Sequence, residues 1–309
     1  MSESVSEAEP HVAQPVTGIL MTSAIAVTIW WWLGGDVTVL TLDYRVWSEP
    51  WRLVTPVLPH IDVFHLFFNL YWLYVLGGKV ETVFGSYKTT AIYLLLGIGS
   101  SLAQYAFSRS GVGLSGIGYG LFGFLWVLSR NDLRFSNAIH HQVVQLFIGW
   151  FILCVVLSIA DVWQVGNFAH GAGAALGCVL GWCVVARTSN MRLVSHLLLG
   201  GIAGGLIFAA SIGRPYLNLA GVVWEEYSYF GHQALLENDP VQAVWYLEKA
   251  VAMRPEVDEN WYNLGVAYFR CDRLKDAVMA YRRAIALSPS VEVYQTTLSE
   301  LEQFMSANR

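Results

Sequence analysis

Long apolar blocks separated by short polar breaks dominate the first two-thirds of this chain. They run over about residues 17–33, 61–76, 89–107, 115–128, 142–159, 166–186 and 193–212. Most approach the ~20 residues that carry a helix across a bilayer, so seven spans are predicted. Between the first and second, Pro50, Pro56 and Pro59 punctuate a long loop in which Trp, Tyr, Val and Leu mix with acids and Arg. That mixture suits a segment lying in the membrane interface.

The pattern changes after residue 223, where self-similarity at a spacing of 34 residues takes over. Trp261, Leu264, Gly265, Tyr268, Ala277, Tyr281, Ala284 and Pro289 fall on the tetratricopeptide consensus positions. Thirty-four residues earlier stand Tyr227, Phe230, Gly231, Ala234, Ala243, Leu247, Ala250 and Pro255. Small residues let paired helices approach, and each proline ends its second helix. Residues 291–305 read as a capping helix. The predicted fold is all-α throughout: a polytopic membrane bundle, then a soluble α-solenoid. Four regions result: a polar leader at 1–16, a six-span core at 17–187, a seventh span with linker at 188–223, and two repeats with a cap at 224–309.

Composition sharpens this division. Apolar residues are 55% of the 309 positions and charged residues only 13%, which excludes an ordinary soluble protein. Residues 1–223 carry ten acids and ten bases; residues 224–309 carry thirteen and eight and hold the whole net charge of −5. No basic tract points to nucleic acid. Cys154, Cys178 and Cys183 lie in apolar spans and Cys271 in the tail, so all four read as small hydrophobes, not as a disulfide or metal framework. No cofactor is predicted. Residues 1–16 contain no Lys or Arg, unlike a cleaved signal or a mitochondrial presequence. Six basic residues (Lys79, Lys88, Arg130, Arg134, Arg187, Arg192) flank one set of span ends and four (Arg45, Arg52, Arg109, Arg214) the other. The positive-inside rule then places the N-terminus in the cytoplasm and, after seven spans, the repeats outside.

The fourth apolar stretch is short. From Ser115 to Arg130 are 15 residues, about 22 Å of helix against a hydrocarbon core of about 30 Å. Ser115 therefore begins its helix below the membrane face, where irregular backbone must border protein or a hydrated cavity. Counting back from the basic ends places other polar side chains at the same depth. His65 is 14 residues from Lys79 and His170 is 17 from Arg187. Asn69 lies one turn deeper than His65 on the same face, and His60 near the surface. Polar groups at such depth are functional candidates.

Their chemistry is complementary. A serine hydroxyl becomes nucleophilic when a neighbouring base takes its proton, and His suits that role near neutral pH. Ser115 at a helix N-terminus has unpaired N–H groups and the positive dipole end beside it. Asn69 and His65 add side-chain donors to such an oxyanion hole. Tyr119, at Ser115 + 4, shares its face and can support the imidazole. Gly116 and Gly120, with Gly173, Gly177 and Gly181, let the fourth and sixth spans pack closely and bring His170 to Ser115. Ile117 stands where the soluble-hydrolase pattern G-x-S-x-G needs glycine.

The run Pro59-His60-Ile61-Asp62-Val63-Phe64-His65-Leu66-Phe67-Phe68-Asn69, then Gly113-Leu114-Ser115-Gly116, then Ala169-His170-Gly171-Ala172-Gly173, resembles the rhomboid family of intramembrane serine proteases. Trp51-Arg52 resembles that family's Trp-Arg pair in the first loop, and the likeness covers about residues 17–187. The resemblance implies that Ser115 is the nucleophile and His170 the base, a dyad with no acidic third member. It implies an oxyanion hole lined by Asn69, His65 and the Ser115 backbone, with Tyr119 packed on His170 and Gly113 and His60 in support. Asp161, the acid nearest His170 in sequence, reads as a solvated loop residue.

The expected function is an intramembrane serine endopeptidase that cuts membrane-anchored substrates in or near their transmembrane helix. Such substrates must unwind locally, which Gly, Pro or polar residues near the cut favour. The fifth span, with Phe147, Trp150 and Phe151, is expected to form a side gate. The alternative is a non-catalytic adaptor that binds transmembrane helices and recruits partners through the repeats; it has no need of Ser115, His170 and Asn69. A transporter using His60, His65 and Asn69 lacks the matched half-repeats of that class. Expected partners are transmembrane protein substrates, the lipid bilayer, and a peptide or protein bound by the repeats. The expected location is a bacterial plasma membrane.

Overall fold

The computed structural model describes residues 13–307, so most of the polar leader at 1–16 lies outside the described residues. Helices account for every regular element there, as the block pattern predicts. The chain divides into two units between Leu219 and Ala220, four residues before the change of pattern at 223.

The first unit contains α1 (Pro15–Trp32), α2 (Val63–Trp72), α3 (Gly78–Phe84), α4 (Ser86–Phe107), α5 (Ser115–Asn131), α6 (His141–Ile159), α7 (Asn167–Val185), α8 (Ser189–Ala210) and the short α9 (Arg214–Leu217). Helices α1, α4, α6, α7 and α8 are long and apolar enough to cross a membrane. The other two predicted spans carry Ser115 and the pair His65 and Asn69. α5 has 17 residues. The stretch 61–76 begins as α2 and passes through a π-turn, Leu73–Gly77, into α3. A π-turn inserts one residue and shifts the face that follows, and the Tyr93 hydroxyl lies against Gly77 in the space a side chain would need.

The bundle is built around α5. Leu121, Phe124, Leu125 and Leu128 are fully buried in the main core with Leu96 of α4 and Leu176 of α7. Helices α5 and α7 touch backbone to backbone. A Cβ on Gly173 would strike the Gly116 carbonyl, and one on Gly177 the Gly120 carbonyl. Close approach of this kind compensates for the missing hydrophobic drive between helices in lipid.

Two polar knots fix the edges. The carboxylate of Glu81, itself buried, accepts from the N–H groups of Val16 (2.9 Å) and Thr17 (2.8 Å) and from the Ser86 hydroxyl (2.7 Å). It thus caps α1, whose first-turn N–H groups have no partner within the helix. In the first loop the buried Arg52 donates to Glu49 (2.6 Å) and to the carbonyls of Thr38 (2.6 Å) and Thr41 (2.7 Å). Trp51 instead lies exposed, its indole N–H on the Val39 carbonyl at 3.1 Å. The arginine ties the loop into a fixed body, and Leu42 and Val46 pack it on Leu102, Tyr105 and Ala106 of α4.

The second unit consists of α10 (Val223–Leu236), α11 (Pro240–Met253), α12 (Asp258–Arg270), α13 (Leu274–Leu287) and α14 (Glu292–Ala307). The helices pair in the register of the 34-residue repeat. Ala234, Ala243, Leu247 and Val251 of the first pair bury against Leu264 and Ala267 of the second. Ala277, Tyr281 and Leu301 then close the second pair with α14.

Candidate active site

Ser115 is the first residue of α5, with Leu114 in the N-cap position and no side-chain cap. The N–H groups of Ser115, Gly116 and Ile117 therefore lack partners within the helix, while Gly118 is the first to donate to a helical carbonyl, that of Leu114 (2.9 Å). The serine is half-buried. A sharp turn presents it. Gly113 adopts φ +110° and donates its N–H to the Pro56 carbonyl at 2.8 Å, so the first loop anchors the turn. Side chains rarely adopt that φ, and a Cβ there would lie 2.6 Å from the His65 ring. Both conditions require glycine.

His60 holds the other half of the turn. Its Nε2 accepts from the Leu114 N–H at 3.2 Å, while Nδ1 faces the Leu58 carbonyl at 2.9 Å and the Thr28 hydroxyl at 3.4 Å. A position near the end of its span does not leave His60 open. The residue is fully buried and braced from three elements, because the loop folds down over it. Counting residues along a span estimates depth and says nothing about cover. The imidazole also lies 4.9 Å from that of His65.

His65 sits in the first turn of α2, where Asp62 caps its N–H at 2.8 Å. Its ring packs on Gly113, immediately before the serine-bearing helix. Asn69 is one turn on and donates one amide N–H to the His65 carbonyl at 2.8 Å. The amide has a second donor hydrogen beyond that bond.

His170 lies in the first turn of α7 and is buried. Its ring stacks on Tyr119 with centroids 4.5 Å apart and planes 21° from parallel. Tyr119 is one turn below Ser115 on α5, so the imidazole covers the face that carries the serine. The Tyr119 hydroxyl donates to the Phe147 carbonyl of α6 at 3.2 Å, and its ring meets Phe147 and Phe151 edge-on. His170 Nδ1 is buried without a hydrogen-bond partner among the described residues. Asp161 accepts from Gln164 at 2.6 Å in the exposed loop before α7. Stacking, not a carboxylate, orients the imidazole.

One positioning residue escapes the sequence reading. Gln104 of α4 accepts from the Ala169 N–H at 3.3 Å and donates to the Arg109 carbonyl at 3.0 Å. Its amide fixes the start of α7 one residue before His170 and ties it to the loop that leads to Ser115. An amide inside an apolar span was the available signal.

Among the described residues no group of three His, Cys, Asp or Glu side chains is placed to hold a metal ion. The arrangement is a serine at a helix N-terminus, a histidine stacked on the tyrosine one turn along the same helix, and an amide and a second histidine on the adjoining helix. That set can deliver a hydroxyl to a carbonyl carbon and hold the oxygen charge that develops.

Residues 48–187 match the model of the Rhomboid domain, and residues 259–291 match the model of a tetratricopeptide repeat. The first match contains every residue of the site above except Thr28; the second covers the latter of the two repeats. The chain is an integral membrane protein that carries a Rhomboid domain, with a tetratricopeptide-repeat region following its membrane bundle.

Proposed function

We propose that this protein is an intramembrane serine endopeptidase whose dyad is Ser115 and His170. The observation that carries the reading is the stack of His170 on Tyr119 across the glycine contact of α5 and α7, one helical turn from Ser115. In the proposed reaction, His170 takes the Ser115 proton as Oγ bonds to the scissile carbonyl carbon. The oxyanion forms beside the free N–H groups at the start of α5, with the Asn69 amide and His65 as further donors. The imidazolium returns its proton to the leaving amine, leaving an acyl-serine. Water then releases the acid product, with His170 again as base. The electron-rich face of Tyr119 favours the imidazolium in both halves of the cycle.

The substrate in this reading is a membrane-anchored protein that enters sideways between α2 and α6. Those helices meet through rings: Phe68 lies 6.2 Å from Trp150, and Trp72 lies 4.8 Å from Phe147. Only Phe147 and Cys154 of α6 are buried. A seam held by ring contacts separates without unpairing polar groups. The catalytic core at 17–187 does the chemistry, the helix at 188–223 completes the bundle, and the repeats at 224–309 bind a peptide or helix of a partner. The N-terminus is cytoplasmic and the repeats external, in a bacterial plasma membrane, as the basic-loop bias favours.

A serine-reactive fluorophosphonate tests the reading. Purified wild-type protein is expected to take up the label, and Ser115→Ala and His170→Ala are expected to take up none and to cut no transmembrane reporter. The double substitution is expected to be no worse than either single one, because the pair acts as a unit. Normal cleavage by Ser115→Ala would overturn the protease and leave an adaptor.

A further inference from the structure

The stack on Tyr119 sets the plane of the His170 ring, but a stack does not choose which ring nitrogen carries the hydrogen. A base that takes the Ser115 proton on Nε2 holds its own hydrogen on Nδ1, and that N–H needs an acceptor. Four buried side-chain nitrogen or oxygen atoms lack a hydrogen-bond partner among the described residues, and two of them lie in the first turn of α7: His170 Nδ1 and Asn167 Oδ1. Buried polar atoms are seldom left unpaired. A donor and an acceptor left over on one turn therefore call for a common explanation.

Asn167 is the first residue of α7 and His170 the fourth. Side chains three apart on a helix are neighbours, with Cβ atoms about 5–6 Å apart. The Asn167 amide is held from its other end. Nδ2 donates to the Ser158 hydroxyl of α6 at 2.7 Å, and the Val165 N–H meets the same oxygen at 3.4 Å. Oδ1 is the end left open. Two other side-chain acceptors around the start of α7 are already engaged: the Gln104 oxygen receives the Ala169 N–H (3.3 Å), and the Asp161 carboxylate receives the Gln164 amide (2.6 Å).

We propose, on the basis of the Ser115–His170 dyad above, that Asn167 is a positioning residue of the base. Its Oδ1 receives the His170 Nδ1–H across a bound water and so keeps Nε2 free for Ser115. Neighbouring buried polar atoms that do not meet directly are the usual place of a bridging water. A neutral amide then stands where a triad has its acid. No proton passes to it. When His170 takes the Ser115 proton on Nε2, Nδ1 keeps its hydrogen and the same acceptor. Ser158 thus holds the amide, the amide selects the ring nitrogen, and Tyr119 sets the ring plane.

The tautomer of His170 can be read directly by nitrogen NMR of the full-length protein in detergent, with its histidines isotope-labelled and the pH alkaline enough to keep the imidazole neutral. Loss of signals in His170→Ala assigns that residue. Wild-type protein is expected to carry the hydrogen on Nδ1, Asn167→Ala to show both tautomers, and Asn167→Asp, which keeps an oxygen at that point, to return to Nδ1–H. Fluorophosphonate labelling is expected to follow: about ten-fold slower for Asn167→Ala, the size of one ordinary hydrogen bond, and largely recovered by Asn167→Asp. Ser158→Ala cuts the tie to α6 but keeps the acceptor, so it is expected to lose less than Asn167→Ala. A wild-type His170 with its hydrogen on Nε2 would overturn the assignment without any substitution, as would an unchanged tautomer in Asn167→Ala. Equal losses in Ser158→Ala and Asn167→Ala would also overturn it, leaving Asn167 as a tie for the α6–α7 loop. The dyad fails separately: wild-type protein that takes up no phosphonate removes the nucleophile, while the tautomer still reports whether Asn167 governs His170.

Discussion

The Tyr119 ring is stacked on the His170 imidazole at 4.5 Å, and among the described residues no carboxylate meets the buried Nδ1 of that histidine. In a triad an acid holds the base by a hydrogen bond; here an aromatic face holds it. The two restraints fail differently on mutation. Tyr119→Phe keeps the stack and loses only the hydroxyl's bond to the Phe147 carbonyl, so most activity is expected to remain. Tyr119→Leu removes the stack, which at ~0.5–1.5 kcal/mol corresponds to a loss of up to about ten-fold. Cleavage rates of a transmembrane reporter, compared at equal phosphonate-labelling stoichiometry, separate the two. Equal rates for Phe and Leu at 119 would remove the stack from the mechanism.

His60 and Gly113 set the turn that presents Ser115, and both are expected to be needed for it. His60→Ala leaves the Leu114 N–H buried without its acceptor, a cost of about 1–3 kcal/mol that falls on the turn before the nucleophile. Gly113→Ala adds a Cβ against His65 at a φ that alanine rarely adopts. Both variants are expected to lose activity strongly, and His60→Ala also to melt at a lower temperature. By contrast Asn69→Ala removes one oxyanion donor among several and is expected to cost on the order of 10²–10³-fold with the fold intact. Thermal melts in detergent, paired with cleavage rates, distinguish these outcomes. A His60→Ala enzyme with wild-type rate and stability would mean that the turn holds Ser115 without His60.

What could be read in the sequence, and what could not, follows from how each residue acts. Ser115, His170, His65 and Asn69 stand out because a polar side chain in an apolar span is costly and so rare. The similar depth of Ser115, His170 and His65, with Asn69 one turn deeper, is an expectation from counting residues along each span. The seven blocks and the 34-residue repeat are equally local signals. Glu81 carries no such signal. It looks like a charge at a span end, and its role as the cap of α1 exists only because folding brings Val16 and Thr17 to it from some 65 residues away. Gln104 likewise acts on α7 across the same sequence distance. The π-turn at Leu73–Gly77 has no proline to announce it; the approach of Tyr93 to Gly77 is its visible correlate. Residues that act through tertiary neighbours were thus the ones missed.

Asp258 gives the repeat unit a pH dependence of definite sign. Burial alone would raise its pKa, but hydrogen bonds from Ser288, Tyr294 and the first amides of α12 outweigh this and hold the carboxylate below its usual range. The Tyr294 bond is 3.0 Å long and links the start of α12 to α14. A group with a depressed folded pKa stabilises the fold above its unfolded pKa, and that stabilisation is lost as pH falls through the folded value. Acidification below the usual carboxylate range is therefore expected to loosen the α12–α14 contact first, seen as faster amide exchange in α14. Asp258→Asn is expected to show that faster exchange already at neutral pH and little further change on acidification. An unchanged acid response in the variant would assign it to other carboxylates.

The α2–α6 seam is expected to limit the cutting of anchored substrates without touching the dyad. Phe68 and Trp150 lie on exposed parts of their helices, and their rings meet across the opening. Replacing both by alanine removes that contact, while Phe147, which carries the bond from Tyr119, stays in place. Dispersion and ring contact of this size are worth about 0.5–1.5 kcal/mol. If opening precedes cleavage, the double variant is expected to cut a membrane-anchored reporter several-fold faster at unchanged phosphonate-labelling rate. Joining the same two positions as cysteines through a short bifunctional reagent is expected to do the reverse: the anchored reporter is spared, and the small phosphonate, which needs no lateral opening, still reaches Ser115. Equal loss of both reactions on cross-linking would mean that the tether distorts the site itself. Equal preservation of both would mean that substrates enter elsewhere.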